Sequence, residues 1–306
     1  MNSANSLPRI GLALGSGASR GWSHIGVIKG LLAEGIEPDV ICGTSVGAII
    51  GGSYVAGNLE KLENWVLGSS RSDVLRFFDI KLSQSGFVDT NRWTWFLNNY
   101  VATENQRIED MAIKYAAVST DLDTGREVWS TEGGVADAVR ASMAMPGLFP
   151  AVRKDERWLV DGGLVNPIPV SVCHALGAEI VIAVNLNRDI AGRHNNANEE
   201  VAASMEEKGV LGNIKQQAKE YSNAIFPNRD KKKEAPGLFY AIAHSINIFQ
   251  NRITRSRLAG DPADVLLSPK VSHIGMLEFH RAAEAIEAGE LCVRNALEEI
   301  RGLTGR

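Results

Sequence analysis

Apolar residues near the start of the chain alternate between short continuous runs and runs at helical spacing. Arg9 to Leu14 is a short apolar run that predicts a strand, and the apolar residues from Ile25 to Leu32 recur at helical spacing. A second short run, Val40 to Cys42, predicts another strand, and the helical pattern after it continues through Tyr54. This β–α–β–α order is typical of a parallel sheet covered by helices.

The alternation of strand-like and helix-like segments continues to residue 184. Trp93, Phe96 and Tyr100 form an aromatic stripe at helical spacing, which we interpret as part of the core. The further predicted strands are Lys114 to Thr120, Glu127 to Ser130, Trp158 to Val160 and Ile180 to Val184, and the further predicted helices are Leu59 to Leu67, Thr90 to Tyr100, Val135 to Met145 and Pro167 to Leu176.

The last third of the chain begins with a polar stretch. Residues Asn187 to Pro236 contain few apolar residues and include the charged run Arg229 to Glu234, so they predict a mobile polar insertion that is partly helical at best. Helical periodicity returns from Leu238 to Leu258, Asp264 to Leu267 predicts a last strand, and Phe279 to Leu303 predicts a closing amphipathic helix.

These elements predict a single α/β domain over residues 1–306, with a central, mainly parallel sheet and helices on both faces. Its core spans about residues 8–186, followed by the polar insertion at about 187–236 and a helical C-terminal segment at about 238–306. Sites in open parallel sheets lie at the carboxyl ends of the strands, and we expect the site of this protein there.

Composition narrows the class of protein. The formal net charge of −4 and the pI near 5.9 do not fit a nucleic-acid-binding protein, which needs a basic surface. The three cysteines are far apart along the chain and form no C-x-x-C pair, so the sequence indicates neither a disulfide framework nor a cysteine zinc site. The N-terminus lacks the apolar core of a signal peptide, so we expect a cytoplasmic protein.

The motif Gly43-Thr44-Ser45-Val46-Gly47 has the pattern G-x-S-x-G and lies between a short predicted strand and a predicted helix. In this context a serine occupies a strained strand-to-helix turn with its hydroxyl exposed to substrate. The following helix directs the positive end of its dipole at the site. The alternative is a glycine-rich turn in which the serine caps the helix, and the motif alone does not separate the two.

A second glycine-rich turn, Gly15 to Gly21, also connects a predicted strand to a predicted helix. Such a turn offers backbone N–H groups to an oxyanion during acyl transfer. It lacks the Lys-Ser/Thr ending of a Walker loop, and Gly21 comes one position too late for the dinucleotide-binding fingerprint. A third signal is Asp161-Gly162-Gly163 after a short strand, where a carboxylate can face a neighbouring loop, although Asp-Gly turns are common.

With these three motifs, the chain resembles the patatin-like phospholipases and, within them, the bacterial neuropathy-target-esterase-like group. The resemblance also covers Val118 to Gly125 and Ala141 to Pro150, a segment that packs near the catalytic residues in this family. It implies a three-layer α/β fold and hydrolysis of ester bonds in lipids. The expected partner is a lipid or ester substrate, with a peripheral contact to a membrane surface left open.

The resemblance implies a catalytic Ser-Asp dyad, with Ser45 as nucleophile and Asp161 as base. It assigns the oxyanion hole to the turn formed by Gly17, Ala18, Ser19, Arg20 and Gly21. The family pattern G-G-G-x-[RK]-G is altered at Ser16 and Ala18, and alanine tolerates fewer backbone conformations than glycine.

Two alternatives stay open at this point. The first is an α/β-hydrolase-like esterase with a Ser-His-Asp triad, in which His273 or His280 is the base. The second is a nucleotide-binding regulator that uses Gly15 to Gly21 without chemistry. No histidine–carboxylate cluster has the spacing of metal ligands, so we expect neither a cofactor nor a catalytic metal.

Overall fold

A computed structural model describes residues 7–70, 73, 90–188 and 238–306, and in the last range it describes side chains from residue 245 onward. The predicted polar insertion lies outside the described residues from residue 189 to its end.

The described strands form one mixed, mainly parallel sheet. They are β1 (Ile10–Leu14), β2 (Val40–Thr44), β3 (Lys114–Asp121), β4 (Glu127–Ser130), β5 (Val152–Lys154), β6 (Arg157–Asp161), β7 (Ile180–Val184) and β8 (Val265–Leu267). Their order is β5-β6-β3-β2-β1-β7-β8, and β4 pairs with β3. The five strands β3, β2, β1, β7 and β8 are parallel to one another. Strands β4 and β6 pair with β3 in antiparallel fashion, and β5 pairs with β6 in the same way.

Helices cover both faces of the sheet. They are α1 (Ser23–Ala33), α2 (Val46–Val55), α3 (Leu59–Gly68), α4 (Thr90–Phe96), α5 (Val135–Ser142), α6 (Val170–Ala175), α7 (Leu238–Gly260) and α8 (Ala282–Thr304). Alternate residues of β1 enter different cores: Leu12 packs on the face of α1, α2 and α8, and Ala13 packs on the face of α6. The three-layer α/β architecture expected from the sequence is confirmed.

Most predicted elements are present with small shifts at their ends. The predicted helix Thr90 to Tyr100 changes to a π-helix at Leu97–Val101, and the closing helix begins with a 3₁₀ turn, Phe279–Arg281. Strand β5 was not expected from the sequence. None of the helices within the described residues is long and apolar enough to cross a membrane.

Helices α1 and α8 pack so closely that two glycines are required at their contact. A Cβ atom on Gly26 would lie 1.9 Å from the carbonyl oxygen of Ile286, and one on Gly289 would lie 2.0 Å from that of Ser23. Neither carbonyl can move without separating the helices, since each belongs to helical backbone.

Gly289→Ala is therefore expected to lower the free energy of unfolding by about 1–3 kcal/mol, the usual cost of overpacking. Gly302→Ala is the matched control, because Gly302 lies in the same helix with no atom near its Cβ position. The control should be neutral or slightly stabilising. Urea unfolding of both variants measures the difference, and equal midpoints would show that the helices separate at little cost.

Candidate active site

Ser45 occupies the turn between β2 and α2 in a strained backbone conformation. Its φ of 58° and ψ of −123° are rare for a residue with a side chain. The Ser45 N–H donates to Ser142 Oγ at 2.9 Å, and Ser142 Oγ donates to the carbonyl oxygen of Val118 at 2.5 Å. These bonds tie the strained turn to α5 and β3, which fixes the position of the Ser45 hydroxyl.

The glycines on either side of Ser45 are required by close approach of backbone. A Cβ atom on Gly47 would lie 2.1 Å from the carbonyl oxygen of Leu14, and one on Gly43 would lie 2.5 Å from the nitrogen of Ala48. The G-x-S-x-G spacing therefore reflects how tightly the turn packs against β1 and α2.

Asp161 ends β6 and faces Ser45. Ser45 Oγ donates to Asp161 Oδ2 at 2.6 Å, and the Gly163 N–H donates to Asp161 Oδ1 at 2.7 Å. The backbone of Asp161 is also held, because its N–H donates to the carbonyl oxygen of Ala144 and its carbonyl accepts from Thr120 Oγ1. Both carboxylate oxygens thus have defined partners.

Burial changes the proton affinity of Asp161. The side chain has no exposed surface, and this burial raises the pKa of Asp161 from 3.8 to about 6, against the opposing hydrogen bonds from Ser45 and Gly163. At neutral pH the carboxylate is mostly ionised but is a better base than an exposed aspartate.

Two residues of the glycine-rich turn lie in the same pocket as Ser45. Gly17 and Ala18 line this pocket together with Ser45, and within the described residues their N–H groups have no acceptor. Ala18 has a φ of 50°, the left-handed conformation that glycine adopts more easily. The alanine at this position keeps the turn at some cost in strain.

The other three residues of the predicted oxyanion turn are used differently. The Ser19 N–H donates to the carbonyl oxygen of Met276 at 3.2 Å, and Ser19 Oγ donates to that of Gly275 at 2.6 Å. Arg20 is buried, which lowers its pKa to about 10 and leaves it charged at neutral pH. A Cβ atom on Gly21 would lie 2.3 Å from the side chain of Val46, so Gly21 serves packing.

The side chains of His24, His174 and His273 each have a partner other than Ser45 or Asp161. His24 Nε2 lies 2.7 Å from the carbonyl oxygen of Gly15, and burial lowers the pKa of His24 to about 4, so it is neutral and holds the turn. His174 contacts the carbonyl oxygen of Ala178, and His273 pairs with Glu284. No histidine appears among the described residues that line the pocket.

Ser45 and Asp161 lie in the wall of a mostly apolar pocket. Its polar lining includes Ser16, Asn247 and Gln250. Its apolar lining consists of Trp22, Ile49, Trp65, Val66, Trp93, Phe96, Met143, Met145, Leu148, Phe149, Met276, Leu277 and Phe279. The aromatic residues Trp93 and Phe96, which we expected in the core, are buried and also line this pocket.

Several residues of the site were not singled out individually from the sequence. Ser142 and Met143 contact Ser45 from the segment Ala141 to Pro150, which the resemblance had placed near the catalytic residues. Gln250 comes from α7, where the sequence indicated only a helix. In the part of the chain that the structure describes, no group of three His, Cys, Asp or Glu side chains could hold a metal ion.

Comparison with known proteins identifies a family and several relatives of this chain. Residues 12–174 match the family model of the patatin-like phospholipases. An NTE family protein of Mycobacterium tuberculosis is 32% identical over 96% of this chain and 92% of its own length. Lysophospholipase NTE1 of Yarrowia lipolytica is 35% identical over 58% of this chain and 12% of its own length.

A solved structure, that of VipD from Legionella pneumophila, aligns with 97% of this chain and 77% of its own. Its TM-score of 0.35 and 12% identity are too low to add to the fold or the activity. The family match extends over more than half of the chain and includes all three glycine-rich motifs, and the mycobacterial relative is similar along nearly its whole length. The chain belongs to the patatin-like phospholipase family.

Proposed function

We propose that the protein is a lipid acyl hydrolase that uses Ser45 as nucleophile and Asp161 as its base, without histidine. The observation that carries the proposal is the 2.6 Å hydrogen bond from Ser45 Oγ to Asp161 Oδ2 in the wall of an apolar pocket. Nucleophile and base at hydrogen-bond distance are the requirement for this chemistry.

The first half of the reaction forms an acyl-enzyme. Asp161 takes the proton of Ser45 while Oγ attacks the carbonyl carbon of the ester, which gives a tetrahedral oxyanion. We assign the N–H groups of Gly17 and Ala18 to this oxyanion, because both residues line the pocket and their N–H groups have no acceptor among the described residues. The intermediate then expels the alkoxide, which takes the proton from Asp161.

The second half repeats the sequence with water. Asp161 takes a proton from the water while the water oxygen attacks the acyl carbon. The proton then passes from Asp161 to Ser45 Oγ as the fatty acid leaves. A carboxylate can serve here because burial raises the pKa of Asp161 to about 6, closer to that of the groups it must deprotonate.

The pocket favours a long acyl chain as the group that the enzyme binds. Trp65, Trp93 and Phe149 form part of a broad apolar wall beside Ser45. Burial of methylene groups against such a wall contributes about 0.8 kcal/mol for each CH₂. The name of the yeast relative, a lysophospholipase, agrees with a substrate of this class. We therefore propose lysophospholipids and acylglycerols as substrates, reached by peripheral contact with a lipid surface.

Hydrolysis of a lysophospholipid and of a soluble p-nitrophenyl ester, measured between pH 4 and pH 9, tests the proposal. Both should be hydrolysed, and kcat/KM should rise with pH to a plateau, with its midpoint near pH 6. The sign follows from the role of the base: below the pKa of about 6, Asp161 is protonated and cannot accept the serine proton.

Absence of hydrolysis of every ester by folded protein would overturn the proposed function. A flat profile between pH 4.5 and pH 8.5 would exclude a base of raised pKa and so exclude Asp161 in that role. The soluble ester is the control for the lysophospholipid, because pH also alters the charge of a lipid surface.

A further inference from the structure

Gln250 is a buried polar side chain in the pocket that the mechanism above does not use. It lies on α7 with 3% of its surface exposed, and it lines the pocket that contains Ser45 and Asp161. Its Nε2 has no hydrogen-bond partner among the described residues. Because native structures rarely leave a buried amide unpaired, this group indicates a partner that the protein itself does not supply.

The amide of Gln250 lies between the glycine-rich turn and the base. On one side, Ser16 Oγ donates to Gln250 Oε1 at 3.4 Å. On the other side, a Cβ atom on Gly163 would lie 2.4 Å from Gln250 Nε2 and 2.9 Å from Asp161 Oδ1. The amide nitrogen and the carboxylate oxygen are therefore no further apart than the sum of those two distances.

The orientation of the amide fits these neighbours. Nε2, which carries two N–H donors, lies on the side of the amide nearest to the Asp161 carboxylate. If the amide oxygen and nitrogen were exchanged, two acceptor oxygens would lie next to each other. A side chain at residue 163 would collide with this amide, so the glycine lets Nε2 approach the base. The amide is thus a donor directed at the region next to the base.

The course of the reaction identifies what passes through this region. Asp161 must return its proton to the leaving alkoxide, so the alcohol part of the ester lies beside Asp161 during expulsion. The carbonyl oxygen of the ester points to Gly17 and Ala18, and the acyl chain lies against the apolar wall. The alcohol part is the portion of the substrate nearest to Gln250.

We propose that Gln250 is a specificity-determining residue whose side-chain amide donates a hydrogen bond to an oxygen of the alcohol part of the substrate, such as a glycerol hydroxyl. The proposal rests on the proposed function. It implies that the enzyme prefers esters of polyols to esters of simple alcohols, because only the former carry a further hydroxyl, beyond the ester oxygens, that can accept from the buried amide.

The test compares two esters of one fatty acid, a 1-monoacylglycerol and the methyl ester, in the same detergent micelles. Gln250→Met keeps the length and apolar volume of the side chain and removes its donors. We expect kcat/KM for the monoacylglycerol to fall about tenfold or more, and that for the methyl ester to stay within about threefold. Ser256→Met, at an exposed position of the same helix, is the control and should leave both values unchanged.

A second variant keeps the test valid if Gln250→Met folds poorly. Gln250→Leu also removes the donors but gives the side chain a different apolar shape and no charge beside Asp161, so it should also lose the preference for the monoacylglycerol. Thermal unfolding of each variant checks the fold. The preference is the ratio of kcat/KM for the monoacylglycerol to kcat/KM for the methyl ester, measured on one enzyme preparation. This ratio does not depend on the amount of active enzyme.

Two outcomes would overturn the role of Gln250. An equal loss on both esters would mean that Gln250 positions the dyad or the glycine-rich turn, and no loss on either would mean that it only fills space. Failure of the proposed function looks different: wild-type protein would hydrolyse neither ester, or Ser45→Ala would retain activity on both.

Discussion

Asp161→Asn should be nearly as inactive as Ser45→Ala, with kcat on a soluble ester reduced about a thousandfold or more. In a dyad the aspartate is itself the base, and an amide cannot accept the proton of Ser45. In a Ser-His-Asp triad the aspartate only orients an imidazole, so the base would remain but in the wrong tautomer. Activity would fall strongly in that case too, and the histidine variants described below separate the two mechanisms. The double variant should be scarcely worse than either single variant, since the two residues act as one unit.

The fold of Asp161→Asn can be checked independently of activity. Burial raises the pKa of Asp161 to about 6, so its neutral form stabilises the fold below about pH 4 and this contribution is lost as pH rises through about 6. Asparagine stays neutral throughout, and the variant should be at least as stable as wild type at pH 8. For activity, a double variant whose loss of kcat equals the product of the two single losses would contradict a step that Ser45 and Asp161 share.

Ser45→Ala should lose about a thousandfold or more of the esterase activity and keep its fold. The change removes one hydroxyl and leaves the N–H of residue 45 free to donate to Ser142 Oγ. Ser130→Ala is the matched control, because Ser130 is a buried serine whose Oγ has no partner among the described residues and which does not line the pocket.

The control should retain wild-type activity, whereas esterase activity of Ser45→Ala above about one-thousandth of wild type would be inconsistent with Ser45 as nucleophile. Histidine variants measured in the same assay test the triad alternative. His273→Ala and His280→Ala should keep substantial activity, and a folded histidine variant as inactive as Ser45→Ala would replace the dyad by a triad.

The sequence predicted the sheet well because the parallel strands β1, β7 and β8 are short, fully apolar runs. Ile10–Leu14 and Ile180–Val184 are buried along both faces, and such runs flanked by glycine or proline have few alternatives to a buried strand. Strand β5 escaped prediction because Val152–Lys154 is only three residues long and partly exposed. Its pairing is decided by β6, which no local pattern reveals.

The motifs pointed to Ser45 and Asp161 because strand-to-turn junctions leave a clear local pattern of glycines. The contacts that support these residues are long-range and leave no such pattern. Ser142 is 97 residues from Ser45 along the chain, and Gln250 is 234 residues from Ser16. Gln250 in an otherwise ordinary helix has no sequence signal that separates it from a solvent-exposed glutamine.

The glycine-rich turn shows a similar limit. The sequence suggested five consecutive residues as oxyanion donors, but a turn cannot direct all its N–H groups at one point. Contacts with Met276 and Gly275 from the C-terminal segment engage Ser19, and packing against Val46 accounts for Gly21. Which residues of the turn keep a free N–H group therefore depends on contacts with segments distant in sequence, and the turn sequence alone does not predict it.

The most direct test of Ser45 as nucleophile is covalent labelling of the wild-type protein with a fluorophosphonate, followed by mass spectrometry of its peptides. The reagent forms a stable bond to the activated hydroxyl of a serine hydrolase. The proposed mechanism predicts one label per chain, on Ser45, with loss of esterase activity in step with labelling and no label in Ser45→Ala. Labelling of a different serine with loss of activity, or an active enzyme that never accepts the label on Ser45, would contradict it.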